Sequence, residues 1–297
     1  MNDSKSGWIY GLIGVVIFSG SLPATRVAVA DFDPLFLTCL RAALAGLLAL
    51  LTLLLLRQRR PARADITSLL VVAFGVVIGF PLLTALALEH ITSARSIVFI
   101  GLLPLATALF GALRAGDRPH PAFWFFSLAG SACVAGFALT QGSSASLVGD
   151  GLMVGAIIIC GLGYAEGGKL ARKLGGWQVI SWALVLSLPL TLMLAFITRP
   201  DTLTTISTPG WVSLGYVSVF SMFVGFVFWY RGLAQGGVAA VSQLQLLQPF
   251  FGLLLAAALL REDISPLMAA VSVGVVACVA GAKRYSTSRQ NKKAGAQ

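Results

Sequence analysis

Charged side chains are scarce in this 297-residue chain: they make up 11% of it, less than half of the roughly 25% usual in soluble proteins. Histidine is scarcer still, with only His90 and His120. The four cysteines, Cys39, Cys133, Cys160 and Cys278, fall singly in apolar stretches. They have no metal-ligand spacing, suggest no disulfide framework, and read as small packing residues. No Gly-rich phosphate loop, HExxH zinc motif or serine nucleophile elbow occurs. Direct ATP coupling by this polypeptide alone is thereby excluded, histidine-based catalysis has almost nothing to use, and neither a metal nor another cofactor is implied. What is abundant is apolar: 57% of residues are hydrophobic, and the mean hydropathy is +0.89. Apolar surface on that scale exceeds one buried core and must face lipid. A soluble enzyme, a disordered chain and a nucleic-acid binder are excluded, and the net charge of +10 is first of all a topology signal.

Crossing about 30 Å of hydrocarbon at about 1.5 Å per residue takes about 20 apolar residues. Ten stretches qualify: 7–29, 35–56, 66–88, 95–113, 121–139, 148–170, 177–198, 211–233, 238–260 and 266–282. The sequence therefore predicts an all-α integral membrane protein of ten transmembrane helices, with no loop long enough to form a domain. The first span has a second reading as a cleaved signal peptide, because Lys5 precedes it and Ala28-Val29-Ala30 resembles a small-residue cleavage site. Its apolar run is too long for a signal core, however, and Arg26 interrupts its end. With the amino terminus inside, cytoplasmic segments hold 16 of the 21 basic residues and the outer side holds four, Arg26, Arg95, Arg199 and Arg261. This positive-inside bias predicts cytoplasmic termini in a bacterial inner membrane.

The chain also repeats itself. Shifted by 145 residues, Ala132-Cys133-Val134-Ala135-Gly136 falls unchanged on Ala277-Cys278-Val279-Ala280-Gly281. The same ungapped register pairs Pro104 with Pro249 and Pro121 with Pro266, giving 13 identities over the 49 positions from 88 to 136. Two halves follow, 1–145 and 146–284, with a basic tail over 285–297 expected to be disordered and to rest on anionic lipid. Five spans per half is an odd number, so the second half would be inverted relative to the first. Inverted repeats around a central cavity are the mark of alternating-access transporters.

Leu88 through Pro104, and Tyr230-Arg231-Gly232-Leu233 through Pro249, each run from a helix end through a leucine and small residues to a mid-helix proline. With these tracts and ten spans in two repeats, the chain resembles the EamA-type drug/metabolite transporter superfamily, and within it most nearly the YddG-type amino-acid exporters. The resemblance implies export from the cytoplasm through a cavity lined mainly by spans 1, 3, 4, 6, 8 and 9. Many relatives carry a tryptophan-glycine pair in span one, where this chain reads Phe18-Ser19-Gly20-Ser21.

Polar groups in hydrocarbon face a cavity or a partner helix. Ser242, Gln245 and Gln248 in span nine are candidate cavity residues, because amides serve both groups of a zwitterion. Interhelical hydrogen bonding, worth about 0.6 kcal/mol on average, is the alternative. Trp229 and Tyr164 are candidate stacking surfaces, with Phe80, Thr84 and Phe99 beside them, while Tyr230 fits an interfacial aromatic belt. Pro104, Pro249 and Gly163 are candidate hinge or gate positions. Glu166 is the one carboxylate well inside a span; it reads as an ion pair with Lys169, or else as a binder of amino groups or protons. Arg41 reads as a partner of Asp31 or Asp33, as a snorkelling side chain, or as a carboxylate binder.

A proton-driven exporter of cationic drugs needs a carboxylate deep in the membrane, and span one has none. Neutral or zwitterionic metabolites, aromatic and neutral amino acids above all, moving down their own gradient are therefore the favoured reading. A proton-coupled multidrug exporter is the first alternative. A lipid-acting membrane enzyme is more remote, because His90 and His120 would fall on opposite sides. The expected partners are a small-molecule substrate and membrane lipid, with no nucleic acid; oligomeric state is open, the monomer being favoured.

Overall fold

A computed structural model describes residues 3–91, 96, 99–140, 146–200, 202–204, 206–248, 250–252 and 266–286. All regular structure among these residues is helical: α1 (Asp3–Ser19), α2 (Ser21–Ala28), α3 (Pro34–Leu55), α4 (Arg63–Val72), α5 (Phe80–His90), α6 (Leu103–Arg114), α7 (Pro121–Thr140), α8 (Leu147–Leu174), α9 (Gly176–Ile197), α10 (Thr208–Gly215), α11 (Gly225–Gly236), α12 (Val238–Ser242) and α13 (Pro266–Arg284). Six helical stretches among the described residues are long and apolar enough to cross a bilayer: Lys5–Ala28, Pro34–Leu55, Arg63–His90, Leu147–Leu174, Gly176–Ile197 and Thr208–Gly236. Leu55, Leu113, Phe125 and Phe196 lie two-thirds or more exposed on the outside of the bundle, as lipid contact requires.

Several spans depart from uniform α-helix, most plainly the first, third and eighth. α4 passes into α5 through a π-helical turn, Ala73–Gly79. Pro81 follows directly and has no N–H to give Val77, so the wider turn absorbs the fault that its ring would otherwise force on the helix. α10 passes into α11 through a second π-helical segment, Tyr216–Val224. The first span breaks at Gly20 between α1 and α2. There the Tyr216 hydroxyl donates to the Ile17 carbonyl at 2.5 Å, and a Cβ on Gly20 would collide with that hydroxyl. Break and π segment therefore hold each other.

Helices that are distant in sequence form the tightest pairs. α1 packs on α11, α3 on α9, α7 on α13, and α8 on both α5 and α6. The α1–α11 crossing is built from Gly7 and Gly11 against Gly232 and Gly236, each pair spaced one turn apart. Small residues at that spacing let backbones meet, which is where association in lipid gains its dispersion energy. Turns between helices rest on Gly175 (φ 94°) and Gly237 (φ 88°), a backbone region that side chains disfavour. Tyr285, expected as the first residue of a loose tail, stacks on Phe126 with centroids 5.8 Å apart; the rest of the tail after Ser286 lies outside the described residues.

The crossing yields a test. A Cβ at Gly232 would sit 2.6 Å from the Gly11 backbone nitrogen, an atom that cannot move aside. Gly232→Val is expected to cost about 1–3 kcal/mol, read as a lowered unfolding temperature of the purified protein. Gly151→Val, which meets open space, should leave that temperature unchanged. Equal behaviour of the two variants would contradict the close crossing.

Candidate functional site

A cavity opens between the two halves of the chain. Its walls carry Phe18, Ser21, Leu22 and Thr25 from the broken first span; Arg41 from α3; Val76, Phe80, Pro81 and Thr84 from the α4–α5 span; and Ile100 and Leu103 near the start of α6. Tyr164, Ser221, Met222, Phe226 and Gln248 complete it from the second half. The free volume is about 50 Å³, small beside the roughly 300 Å³ at which ligand pockets begin. The cavity is narrow in this structure.

Both irregular helical stretches feed the site. The π segments bring Val76, Ser221 and Met222 to the wall, and the break at Gly20 presents Ser21. The hydroxyls of Ser21 and Ser221 share a 2.6 Å hydrogen bond, joining the first half to the second across the cavity. Gln248 donates to the Phe18 carbonyl at 3.3 Å. The Thr84 hydroxyl is buried without a partner among the described residues.

Five rings from three helices form the floor. Phe18 meets Phe226 at 4.9 Å and Trp229 at 6.1 Å; Tyr164 meets Phe226 at 5.8 Å and Trp229 at 5.5 Å; Phe226 meets Tyr230 at 5.4 Å. Trp229 and Tyr230 are fully buried, and the Tyr230 hydroxyl donates to the Gly163 carbonyl at 3.3 Å. No room separates Tyr230 from α8, because Gly167 sits where a side chain would strike its ring. Tilted and edge-on contacts of this kind add about 0.5–1.5 kcal/mol each to the area they bury.

Behind the floor, toward the end that carries most of the basic residues, the helices are tied by charge. Glu166 is 2% exposed. It accepts from Ser68 at 2.7 Å and from Arg114 at 3.2 Å, with Lys169 3.6 Å away. Asp65 pairs with Lys173 at 2.7 Å. Asp117 pairs with Arg172 at 3.0 Å and accepts from the Ala239 amide at 2.7 Å. One belt thus joins α4, α6, α8, α12 and the α6–α7 loop.

The residues singled out from the sequence divide among these layers. Arg41, Phe80, Thr84, Tyr164 and Gln248 line the cavity. Trp229 lies in the floor. Gln245 is 1% exposed and lies close to Tyr164, yet neither atom of its amide makes a hydrogen bond of good geometry among the described residues. Ser242 turns away from the cavity and donates to Ala239 at 3.0 Å and Pro104 at 3.4 Å.

Phe99 was grouped with the cavity, but it borders an apolar groove between α6 and α8, with Leu109 and Ile158, both about half exposed. A ring needs no polar partner on a lipid-facing surface, so hydrophobicity alone could not tell the two locations apart. Pro104 stands in the first turn of α6, where a missing N–H costs nothing, and not in mid-helix as expected. Gly163 packs on Gly75. Pro249 lies outside the described residues. Ser21, Thr25, Ser221 and Phe226 line the cavity without having been foreseen; a hydroxyl or a phenyl ring in an apolar helix is too common a sight to mark a site.

The sequence profile of the EamA-like transporter family matches this chain twice, over residues 5–140 and 147–282. A Bacillus subtilis (strain 168) protein described as the uncharacterized transporter YdeK is 66% identical over 286 residues, covering 96% of this chain and all of its own length. A second from that organism, the uncharacterized transporter YyaM, is 23% identical over 244 residues, covering 78% of this chain and 79% of its own. A solved crystal structure superposes with a TM-score of 0.78 at 19% identity, over 93% of this chain and 98% of its own, a likeness of fold alone. The chain belongs to the EamA-like transporter family and is a multi-pass membrane transporter.

Proposed function

We propose that this transporter works by alternating access and exports small metabolites, chiefly amino acids with apolar or aromatic side chains, down their own gradient. On this reading ten spans form two five-helix repeats, 1–145 and 146–284, the second inverted. The basic tail 285–297 and both termini face the cytoplasm of a bacterium whose inner membrane holds the protein. YddG-type exporters are the nearest functional likeness, a monomer is the favoured state, and no cofactor takes part.

The observation that carries this reading is the match between cavity and repeat. Advanced by 145 residues, Val76, Pro81 and Leu103 become Ser221, Phe226 and Gln248, and all six line the cavity. The same shift takes the π turn Ala73–Gly79 onto 218–224, inside the second π segment. The helix pairs agree with a two-fold relation, since α1 on α11 has its counterpart in α8 on the span holding α5. A cavity on a pseudo-two-fold axis is where inverted-repeat transporters bind their substrates. Its lining suits a small amphipathic molecule, with aromatic rings below and hydroxyls, an amide and a guanidinium around them.

Facilitated movement draws support from Glu166. It lies behind the aromatic floor, held by Ser68, Arg114 and Lys169, so it is occupied as a tie and is absent from the cavity wall. The proton-coupled multidrug alternative requires that carboxylate to exchange protons or bind cations.

Two outcomes follow. Liposomes containing the purified protein are expected to take up labelled phenylalanine without an imposed proton gradient; uptake that appears only with the gradient would contradict the facilitative reading. Glu166→Gln is expected to keep its rate within about fivefold of the original, the scale of about 1 kcal/mol for weakened ties to two half-exposed cations. Abolished transport in that variant, with folding intact, would favour the multidrug alternative.

A further inference from the structure

The cavity carries one formal charge among its described lining residues. Arg41 is 6% exposed and lines the wall with its side chain. Its Nη2 donates to the Val217 carbonyl at 3.3 Å, a long bond, and Nε is buried with no acceptor among the described residues. The two expected partners are engaged elsewhere: Asp33 caps α3 by accepting from the Leu35 and Phe36 amides at 2.9 and 3.0 Å, and Asp31 accepts from Ser207. No ion pair to Arg41 forms among the described residues.

A guanidinium taken out of water without a counter-charge is costly, and one long bond to a carbonyl does not offset it. If Arg41 served only to tie α3 to the π segment, an uncharged amide would do so at lower cost. An incoming anion supplies what is missing. A carboxylate matches the planar fork of a guanidinium through two parallel hydrogen bonds and cancels one charge with one charge; a phosphate dianion would leave a negative excess. The Thr84 hydroxyl, unpartnered among the described residues, offers a further donor in the same cavity. An ammonium group, by contrast, finds no carboxylate among the described lining residues.

We propose that Arg41 is the anion-binding residue of the cavity, and that the transported class is small monocarboxylates with an apolar tail, in which an amino group is dispensable. The carboxylate docks on the guanidinium, and the tail lies over Phe18, Phe226 and Tyr164. This rests on the transport reading above and narrows it, amino acids being one member of the class.

Three probes that share a phenyl ring separate the ideas: 3-phenylpropanoate (carboxylate only), phenylalanine (both groups) and phenethylamine (amine only). Each is measured by thermal stabilisation of the purified full-length protein and by inhibition of labelled phenylalanine uptake into liposomes. In the unaltered protein, 3-phenylpropanoate is expected to stabilise and inhibit at least as well as phenylalanine, while phenethylamine does neither. Arg41→Gln is expected to weaken carboxylate binding by at least about tenfold, the scale of losing a charged hydrogen-bonded partner. Arg41→Lys, keeping the charge without the fork, should fall between.

Stabilisation by phenethylamine and not by 3-phenylpropanoate would overturn the proposal, as would undiminished carboxylate binding in Arg41→Gln or no carboxylate binding at all. If Arg41→Gln fails to fold, the probe series on the unaltered protein and on Arg41→Lys decides. Arg41-dependent binding of 3-phenylpropanoate without any phenylalanine transport would sink the amino-acid reading and leave the carboxylate site standing.

Discussion

Hydrocarbon offers no hydrogen bonds, so every polar group along these helices must find its partner inside the protein or face a space that water or substrate can enter. That constraint organises the bundle from end to end. Several serines and threonines within helices meet it locally: Ser19 donates to Val15, Thr107 to Leu103 and Ser218 to Leu214. Where the ladder fails, at Gly20 and in the two π segments, the failure is used. The Tyr216 hydroxyl bridges from one π segment to the broken first span, and Ser21 bonds Ser221 across the gap. Faults in regular helix are tolerated in a membrane only where they line a cavity or are buried in protein, and here the cavity gathers them.

A layered plug follows from the same rule. The aromatic floor closes the cavity with tilted rings that bury large area and retain few polar atoms. Beyond it, where the spans approach the polar interface, the ties become ionic. A carboxylate as buried as Glu166 is acceptable because Ser68, Arg114 and Lys169 converge on it. The ties of this belt are discrete, whereas α1 and α11 meet backbone against backbone. Trp229 and Gln245 keep unpartnered polar atoms in the packed layer among the described residues.

Much of the membrane architecture is legible in the sequence, because hydropathy reports length and lipid exposure directly. Each of the six long spans lies within a few residues of a stretch of apolar sequence. Depth along a span is legible too, which is how Arg41, Tyr164 and Gln248 stand out as polar groups in apolar runs. Which way a side chain points across the bundle is a different matter. Gln245 and Gln248 share an overlapping helical face, yet one is sealed in the packed layer and the other reaches the cavity, a difference that spacing along the helix does not show. The partners of Asp65 and Asp117 lie 108 and 55 residues away, a pairing no local pattern encodes. Ser21 and Ser221 were invisible for the opposite reason, because a serine that can bond its own helix gives no sign of being needed elsewhere.

Alternating access requires opposite movement at the two ends of the bundle. The direct measurement is a pair of spin-label distances in the full-length protein with its four cysteines replaced. One pair joins Arg118 to Arg231, both exposed at the basic end; the other joins Glu89 to Thr208, both exposed at the opposite end. Adding substrate is expected to lengthen one distance distribution while the other shortens. Two distributions that stay fixed, or that widen together, would contradict a cavity served by alternating gates.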